Sequence, residues 1–410
     1  MYDVMQGVRV IEVAEHTFVP AAGMVLADWG ADVIKIERTL GGGDTSRHMA
    51  IIAQPGQKRN GFFEVANRGK RSVALDLTQA EGRAHLLRLV ETADVFLTSL
   101  RTDARRKLGI EAEDLLVVNP RLIYARGTGY GLEGPMANRG GFDYPSSWCR
   151  SGSGFTQTPE DGPPPQQPGS VGDLTGGATI AGAVAAALFR RERTGKGAIV
   201  DHALYAMGTY IMTQSLASAS LAGQTLDTPT QPRRRMNHPL VRVYRTSDDR
   251  WLNLCLLMDR WFPDLARKIN RSDLLDDPRF VDEKSKIENA DALIGELDKT
   301  FAQKSLGEWC EILGDLEGVW DPLLSPVEVI NDEQALVNDF VVPVTDGDGQ
   351  YYAAASPGRF DQQAVGDLKA SPFHGEHTDE VMHEIGLSDT EIASLQKNKV
   401  ILSLDKNTES

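Results

Sequence analysis

The chain has 410 residues, of which 41% are hydrophobic and 25% are charged, and its formal net charge is −15 at pH 7. This length suffices for two domains or one large discontinuous domain, and the composition is that of an ordinary soluble globular protein. The acidic balance argues against nucleic-acid binding, which requires a basic surface, although a few local arginines can still hold a small anion.

The first 130 residues predict strands that alternate with single helices. Helices are expected from Pro20, a good first helical residue, to Gly30, a good stop, and at about residues 79–92. Strands are predicted at residues 8–13, 32–37, 72–77, 94–100 and 121–126. Strands joined by single helices pair in parallel, so we expect an α/β fold with a Rossmann-like, doubly wound sheet. Residues 15–23 (EHTFVPAAG) lack the GxGxxG pattern, which argues against a nicotinamide dinucleotide.

A single carboxylate, Asp173, stands at the junction between a Pro/Gly-rich loop (residues 151–168) and an apolar run (residues 177–189). One interpretation is an N-cap for the helix that we expect to begin directly after it, worth about 1 kcal/mol. The other is a nucleophile that the helix N-terminus keeps ionised, beside glycine N–H groups that steady an oxyanion. Spacing alone favours the cap. The preceding loop is either a lid over the site or a surface excursion.

The glycines expected to supply those N–H groups are Gly172, Gly176 and Gly177. The apolar run that follows is too short to cross a bilayer and is expected to be a buried helix. The N-terminus also lacks the basic and apolar regions of a signal peptide. Three cysteines without a CxxC pair or metal-type spacing predict no metal site and are typical of a reduced intracellular compartment. We therefore expect a cytoplasmic protein with no membrane segment.

The second half of the chain predicts a smaller α+β unit. A polar stretch at about 215–240, which ends in three arginines at 233–235, is expected to be a linker. A hairpin is predicted at residues 240–245 and 251–257, followed by helices over about 258–313. Another strand pair is expected around the turn at 346–349, and two helices are predicted near the C-terminus.

Several motifs occur in the same order as in the family III CoA-transferases, and the resemblance covers nearly the whole chain. The segments that carry it are residues 7–38 (GVRVIEVAEHTFVPAAGMVLADWGADVIKIER), 67–77 (NRGKRSVALDL), 129–135 (GYGLEGP), 172–177 (GDLTGG), 190–197 (RRERTGKG) and 375–392 (GEHTDEVMHEIGLSDTEI). The chain therefore resembles this family, which also contains α-methylacyl-CoA racemases and isomerases.

The resemblance implies a large Rossmann-like domain from both chain ends (1–210 and 336–410), with a linker and small domain (211–335) inserted between them. It also implies an interlocked homodimer. The substrates would be an acyl-CoA and a carboxylic acid, with no permanently bound cofactor. Asp173 falls on the family's catalytic carboxylate, which reverses the preference for the cap.

The resemblance also assigns coenzyme A contacts. Arg38, at the end of the second predicted strand, matches a CoA-contacting arginine. His16 and Thr17 fall where the family's chain wraps the cofactor near its thioester end. Leu75 and Thr78 lie where adenine contacts are expected.

One segment departs from the family pattern, which often reads ENFRPG followed by an arginine. Ser99 and Leu100 replace an asparagine and an aromatic residue, whereas Arg101 keeps its charge. Lys107 replaces an arginine and would bind a phosphate as a point charge. Arg139 is a further candidate phosphate ligand.

The residue before Asp143 separates two reactions. The family's racemases carry a histidine there, because racemisation needs an acid/base group on each face of the α-carbon. This chain carries Phe142, which cannot transfer a proton, so we expect CoA transfer. The alternatives are an α-methylacyl-CoA racemase or isomerase and a non-catalytic CoA-ligand-binding protein. The acceptor remains open among short dicarboxylates, aromatic acids and terpenoid or steroid acids.

Overall fold

The structure is a computed structural model that describes residues 2–49, 59–159, 162–223, 238–346, 349–366 and 368–404. The chain divides into two compact units, a large unit of Met1–Leu226 with Glu333–Ser410 and a small unit of Asp227–Asp332. The boundaries expected from the sequence were 210/211 and 335/336. Part of the predicted linker, with the arginines at 233–235, lies outside the described residues, as do 160–161 of the predicted lid and 347–348 of the predicted turn.

The secondary structure comprises strands and helices in the following order. The strands are β1 Arg9–Val13, β2 Asp32–Glu37, β3 Arg71–Leu75, β4 Val95–Thr98, β5 Ile123–Thr128, β6 Ala198–Ala203, β7 Val241–Arg245, β8 Trp251–Cys255, β9 Val319–Pro322, β10 Val341–Asp346, β11 Gly349–Ala354, β12 Leu368–Lys369 and β13 Ile401–Leu402. The helices are α1 Phe18–Asp28, α2 Gly61–Asn67, α3 Ala80–Glu91, α4 Thr102–Leu108, α5 Ala112–Val118, α6 Ser153–Gln157, α7 Val171–Thr194, α8 Leu204–Ile211, α9 Thr213–Ala222, α10 Phe262–Lys268, α11 Glu283–Glu288, α12 Ala290–Phe301, α13 Leu306–Leu313, α14 Pro326–Val329, α15 Glu333–Val337, α16 Thr378–Glu384 and α17 Asp389–Lys397.

A seven-stranded sheet forms the centre of the large unit, in the order β13-β3-β2-β1-β4-β5-β6. Strands β1 to β6 pair in parallel, and β13 adds an antiparallel edge. The predicted parallel α/β sheet is therefore confirmed. The order 3-2-1-4-5-6 reverses direction between β1 and β4, and a sheet of this kind binds ligands at the carboxyl ends of the strands near that reversal.

Alternating side chains on the strands build a core on each face of this sheet. On β1, Ile11 joins the cluster that packs under α3, α5, α16 and α17, whereas its neighbour Val10 joins the cluster that packs under α1 and α7. Because successive strand residues point to opposite faces, a strand that is apolar throughout must be covered on both sides. The helices on the two faces make this sheet doubly wound.

Helix α7 is longer than the helix that the apolar run at 177–189 predicts. Its 24 residues make it long and apolar enough, by length and composition alone, to cross a membrane, so the expectation that this run is too short was wrong. One face of α7 nevertheless packs on α1, where a Cβ on Gly177 would lie 2.6 Å from the Cβ of Ala21. That contact is typical of a core helix in a globular fold.

The small unit is an α+β structure with its own core. Strands β7, β8 and β9 form an antiparallel sheet that includes the predicted hairpin. Helices α10, α12 and α13 bury Phe301 and Trp309 against Tyr244 of β7. In the large unit, β10, β11 and β12 form a further three-stranded sheet, which includes the strand pair expected around the turn at 346–349.

Candidate functional site

Asp173 is the third residue of α7, and Ser170 holds the N-cap position at φ +61° without a side-chain cap bond. The expectations that the helix begins after Asp173 and that Asp173 caps it were therefore wrong. Asp173 lies in the first helical turn, on the same helix face as position 177 one turn later. Position 177 packs on α1, and Phe142, which precedes the Asp143 that lies near Asp173, contacts His16 just before α1. Asp173 therefore lies in the neighbourhood of the N-terminal end of α1.

The carboxylate that caps α7 belongs to Asp143, from a distant part of the sequence. Its Oδ2 accepts hydrogen bonds from the backbone N–H of Gly172 at 3.0 Å and from Nε2 of Gln167 at 2.7 Å. Gly172 permits this approach, because a Cβ there would lie 2.2 Å from Oδ1 of Asp143. The sequence analysis missed this role, since capping patterns are recognised over three or four residues and these partners are 29 apart.

The glycines after Asp173 serve helix packing. Gly176 and Gly177 lie inside α7, where their N–H groups belong to the helical hydrogen-bond ladder. A Cβ on Gly176 would lie 2.5 Å from the Phe18 ring, and a Cβ on Gly177 would lie 2.9 Å from the Phe18 carbonyl oxygen. The expectation that these two N–H groups face an oxyanion was wrong.

The pKa values of both carboxylates are raised, and the charge of Asp143 contributes to the shift of Asp173. Burial, followed by the nearby negative charge of Asp143, raises the pKa of Asp173 from 3.8 to about 7. Burial also raises the pKa of Asp143, against hydrogen bonds from the N–H groups of Gly172 and Asp173 and from Gln167. The expectation that the helix N-terminus keeps Asp173 firmly ionised was wrong, because desolvation and the neighbouring acid outweigh the helix field.

The N-terminus of α1 supplies the other side of the site. The His16 ring meets the Phe142 ring edge to face, with centroids 5.1 Å apart. His16 has φ +67°, and its backbone N–H donates to Oδ1 of Asp44 at 3.2 Å. Thr17 is fully buried at the N-cap position of α1. Within the described residues, His16 Nδ1 and Thr17 Oγ1 are buried atoms without a hydrogen-bond partner.

A cavity of about 250 Å³ lies at the carboxyl ends of β1 to β4. Four predicted CoA residues line it: Arg38, Leu75, Thr78 and Leu100. Arg38 is exposed, its Nε lies 3.1 Å from Oε1 of Glu15, and its Nη2 donates to the carbonyl of Gly43 at 3.0 Å. The cavity thus combines apolar walls with the exposed guanidinium of Arg38 and the acidic residues Glu15, Glu37, Asp44 and Asp76 in its lining.

The remaining predicted CoA residues lie outside the lining of this cavity. Ser99 connects the end of β4 to the loop before α1, because its Oγ accepts the backbone N–H of Glu15 at 3.0 Å. Arg101 and Lys107 are exposed at the start and in the last turn of α4. Arg139 is exposed, with its guanidinium carbon 5.7 Å from the centroid of the Tyr130 ring.

A larger cavity of about 840 Å³ borders β5, β6 and α8, and includes Arg126, Thr179 and His202 in its lining. The Phe18 ring lies 5.8 Å from the His202 ring and also contacts Gly176 of α7. Phe18 therefore stands between this cavity and the helix turn that carries Asp173. The sequence analysis did not single out this cavity, since its walls come from three separate segments, at residues 126–133, 179 and 201–210.

A fully buried ionic cluster supports the loop that holds His16. Lys35 Nζ lies 3.0 Å from Oε1 of Glu12 and 2.9 Å from Oδ2 of Asp44, and Lys70 Nζ lies 2.7 Å from Oε2 of Glu12. Two acids therefore meet two lysines. Asp44 in turn accepts the N–H of His16, which connects the cluster to the site.

Comparison with known proteins assigns the arrangement to a family. Residues 5–378 match the model of CoA-transferase family III. The chain is 29% identical to the (R)-2-hydroxy-4-methylpentanoate CoA-transferase of Clostridioides difficile, over 97% of this chain and 99% of that protein. It is also 29% identical to human alpha-methylacyl-CoA racemase, over 97% and 98%. A crystal structure of a CAIB/BAIF family protein from Brucella suis superposes with a TM-score of 0.81 at 28% identity, covering 93% of this chain and 99% of that one.

Proposed function

Because the chain belongs to CoA-transferase family III, we propose that it transfers coenzyme A from an acyl-CoA to a carboxylic acid, with Asp173 as the nucleophile. The observation that carries the proposal is the environment of Asp173, which is half-buried beside a second acid and has a pKa raised to about 7. A carboxylate that is poorly solvated and still partly ionised at neutral pH is more nucleophilic than one in water. A raised pKa next to a second acid is typical of catalytic carboxylates.

The proposed reaction proceeds through two kinds of covalent intermediate. The Asp173 carboxylate attacks the thioester carbonyl, the C–S bond breaks, and an aspartyl-acyl anhydride and CoA thiolate form. The thiolate attacks the aspartyl carbonyl, which releases the donor acid and leaves an aspartyl-CoA thioester. The acceptor carboxylate then attacks this thioester to form a new anhydride and free thiolate. The thiolate attacks the acceptor's acyl carbon and restores Asp173, so no net proton or electron is consumed.

Coenzyme A would bind across the carboxyl ends of β1 to β4. We propose that the 250 Å³ cavity takes the adenine end, against Leu75, Thr78 and Leu100, and that Arg38 binds phosphate. His16 Nδ1 and Thr17 Oγ1 are buried and have no hydrogen-bond partner in the described part of the chain. A thioester carbonyl at the end of α1 would satisfy such polar groups. Arg101, Lys107 and Arg139 remain candidate phosphate ligands on the surface.

Racemisation is the second candidate, because two acids with raised pKa values lie side by side. Both acids are held by one helix end, since Asp143 accepts the N–H of Gly172. Proton exchange on both faces of a carbon needs groups on opposite sides, and Phe142 stands where the second base would be required. A non-catalytic CoA-binding protein would keep the cavity but gain nothing from this pair.

We further propose an interlocked homodimer in the cytoplasm. Large apolar side chains on α8 and α9 are exposed in the single chain, among them Tyr210 at 75% and Leu221 at 90%. Such a concentration is typical of a surface that another subunit covers. The three free cysteines suit a reducing compartment. Light scattering on the purified protein should give the mass of two chains.

The decisive experiment traps the intermediate. The protein is incubated with an acyl-CoA, quenched with hydroxylamine and digested, and the peptides are analysed by mass spectrometry. We expect a hydroxamate on Asp173, and none on the Asp173→Asn variant. In a parallel experiment in D₂O, rapid α-deuteration of a branched acyl-CoA without any acceptor acid, and without a hydroxamate, would replace the transferase proposal with the racemase.

A further inference from the structure

Among the described residues that line the 250 Å³ cavity, Arg38 is the single basic one, and its guanidinium already has an acidic partner. Its Nε lies 3.1 Å from Oε1 of Glu15, and its Nη2 donates to the carbonyl oxygen of Gly43 at 3.0 Å. The Arg38 side chain is 56% exposed and the Glu15 side chain is 29% exposed, so a solute can reach both. The cation proposed for phosphate is therefore paired with a carboxylate of the same cavity.

Three of the four acids in the lining have partners of their own. Glu37 accepts hydrogen bonds from Nε and Nη2 of Arg47 at 2.8 and 2.7 Å, and Oδ2 of Asp44 lies 2.9 Å from Nζ of Lys35. Asp76 accepts hydrogen bonds from the residues two and three positions later in the chain. The fourth acid is the one that pairs with the exposed guanidinium, so its charge acts on that guanidinium directly.

The backbone of Glu15 is held independently of its carboxylate. Its N–H donates to Oγ of Ser99 at 3.0 Å, and the Ser99 hydroxyl donates to the carbonyl oxygen of Glu15 at 3.3 Å. Glu15 follows β1 and Arg38 follows β2, and these two strands are parallel neighbours, so the pair lies where their carboxyl ends meet. A neutral side chain at position 15 should therefore leave the backbone in place.

A phosphate that binds Arg38 encounters the Glu15 carboxylate in two ways. A guanidinium binds phosphate best through two of its N–H groups, and the Nε–H of Arg38 faces Glu15. The carboxylate also repels a phosphate by its like charge. Because an exposed Arg–Glu pair is weak, a phosphate can displace the carboxylate, but the displacement lowers the affinity for the phosphate.

We infer that Glu15 competes with the phosphate of coenzyme A for Arg38 and thereby sets the affinity of the protein for acyl-CoA. This inference rests on the role of Arg38 in the proposed function and adds a residue that weakens the same contact. One CoA thioester enters and another leaves in each catalytic cycle, and release of a product limits the rate of many enzymes. A displaceable contact with the coenzyme therefore favours turnover.

The test measures binding of coenzyme A to the full-length protein by calorimetry at low salt. Glu15→Gln keeps the shape of the side chain and removes its charge, so the Kd should fall about three- to tenfold. The matched control is Glu192→Gln, which removes a charge from another exposed pair, 3.4 Å from Arg121, near the C-terminal end of α7. This control should leave the Kd within about twofold of wild type. An unchanged or raised Kd in Glu15→Gln would overturn the inference and leave CoA transfer intact.

A double variant tests whether the effect requires Arg38. Arg38→Ala should raise the Kd for coenzyme A, and Glu15→Gln added to Arg38→Ala should change the Kd by less than about twofold, because the two residues act through one contact. A gain of the same size with and without Arg38 would show general repulsion by the Glu15 charge and would overturn competition for the guanidinium.

Kinetics separate this role from a general structural change. Glu15→Gln should raise kcat/KM for acetyl-CoA about three- to tenfold and leave that for the acceptor acid within about twofold. With S-acetylpantetheine as the donor, which has the thioester but no phosphate, kcat/KM should stay within about twofold of wild type. An equal change for both donors would overturn the inference. Failure of coenzyme A to bind the wild-type protein would overturn the proposed function itself.

Discussion

Two groups of carboxylates lie near the same edge of the large sheet, and they differ in what surrounds them. Glu12 and Asp44 are paired with Lys35 and Lys70, and all four side chains are buried. Asp143 and Asp173 have each other, neutral hydrogen-bond donors and no lysine or arginine partner among the described residues. The first group is compensated, and the second carries uncompensated negative charge.

The difference is visible in the direction of the pKa shifts. Burial acts to raise the pKa of Asp44, but Lys35 and Ser46 outweigh it and leave the pKa well below its ordinary value. Burial acts to lower the pKa of Lys35, but Asp44, Glu12 and Glu37 outweigh it and leave the pKa raised. For Asp173, burial and Asp143 act in the same direction. Compensation makes an acid structural, whereas its absence leaves an acid near neutral pH available for chemistry.

Asp173→Asn should have the largest effect, because it removes the nucleophile from the uncompensated pair. We expect transfer to fall by at least about 10³-fold, since an amide cannot form the anhydride. Binding of CoA, measured by calorimetry, should remain within about threefold of wild type. Asp103→Asn, an acid in the exposed first turn of α4, is the matched control and should keep its activity. Retained turnover in Asp173→Asn would assign the chemistry to another group.

Lys35→Met should cause the next largest effect by breaking the compensated group. The substitution removes the lysine that pairs with both Glu12 and Asp44 and leaves their buried charges incompletely neutralised. Removal of one partner from a buried ion pair lowers the free energy of unfolding by about 3–5 kcal/mol. Urea denaturation should show this loss in the free energy of unfolding. Lys284→Met, in a surface pair that is 3.8 Å apart, should change it by less than about 1 kcal/mol. Similar losses in the two variants would remove the distinction between the groups.

The sequence was informative where the signal was local. The apolar strands, the helix at Pro20 and the position of Arg38 follow from short patterns, and the sheet and part of the cavity lining agree with them. Predictions from the sequence were wrong where contacts between distant residues determine the structure or the pKa. Asp143 caps α7 from 29 residues away, and the pKa of Asp173 depends on burial and on that neighbour. Neither is encoded in the residues adjacent to Asp173.

The uncompensated pair should also lower the free energy of unfolding, and this loss should depend on pH. The pKa of Asp173 is about 7 in the folded chain against an ordinary 3.8, so between these values the folded chain holds a proton that the unfolded chain has released. Stability therefore falls as the pH rises through this window. Asp173→Asn should be more stable than wild type by about 1–3 kcal/mol at pH 8, with the gain lost near pH 4.

Thermal melts of Asp173→Asn and wild type from pH 4 to 8 measure this gain. Asp103→Asn again serves as the control, because an exposed acid in a first helical turn contributes slightly to stability through the helix field. Its removal should lower the melting temperature slightly or leave it unchanged. A gain for Asp173→Asn that is the same at every pH would indicate a packing effect instead of relief from a buried charge.

Asp143→Asn should have the smallest effect and is the sharpest test of the pair. The amide oxygen of asparagine can still accept the N–H of Gly172, so the helix cap is retained while the charge is lost. Without that negative charge the pKa of Asp173 should fall, and the acid limb of the kcat/KM profile should move to lower pH by up to about 1 unit. Burial is the larger cause of the shift, so the limb should stay above an ordinary carboxyl value.

Asp143→Ala separates the two roles of this residue, because it removes the cap as well as the charge. It should shift the limb in the same direction and in addition lower the free energy of unfolding by about 1 kcal/mol, the usual cost of a lost helix cap. If both variants lost activity equally at all pH values with no movement of the limb, Asp143 would act only through the position of α7. A limb that moves in both variants, with stability lost in the alanine variant alone, is the result expected of one carboxylate that both anchors the helix and holds Asp173 near neutral pH.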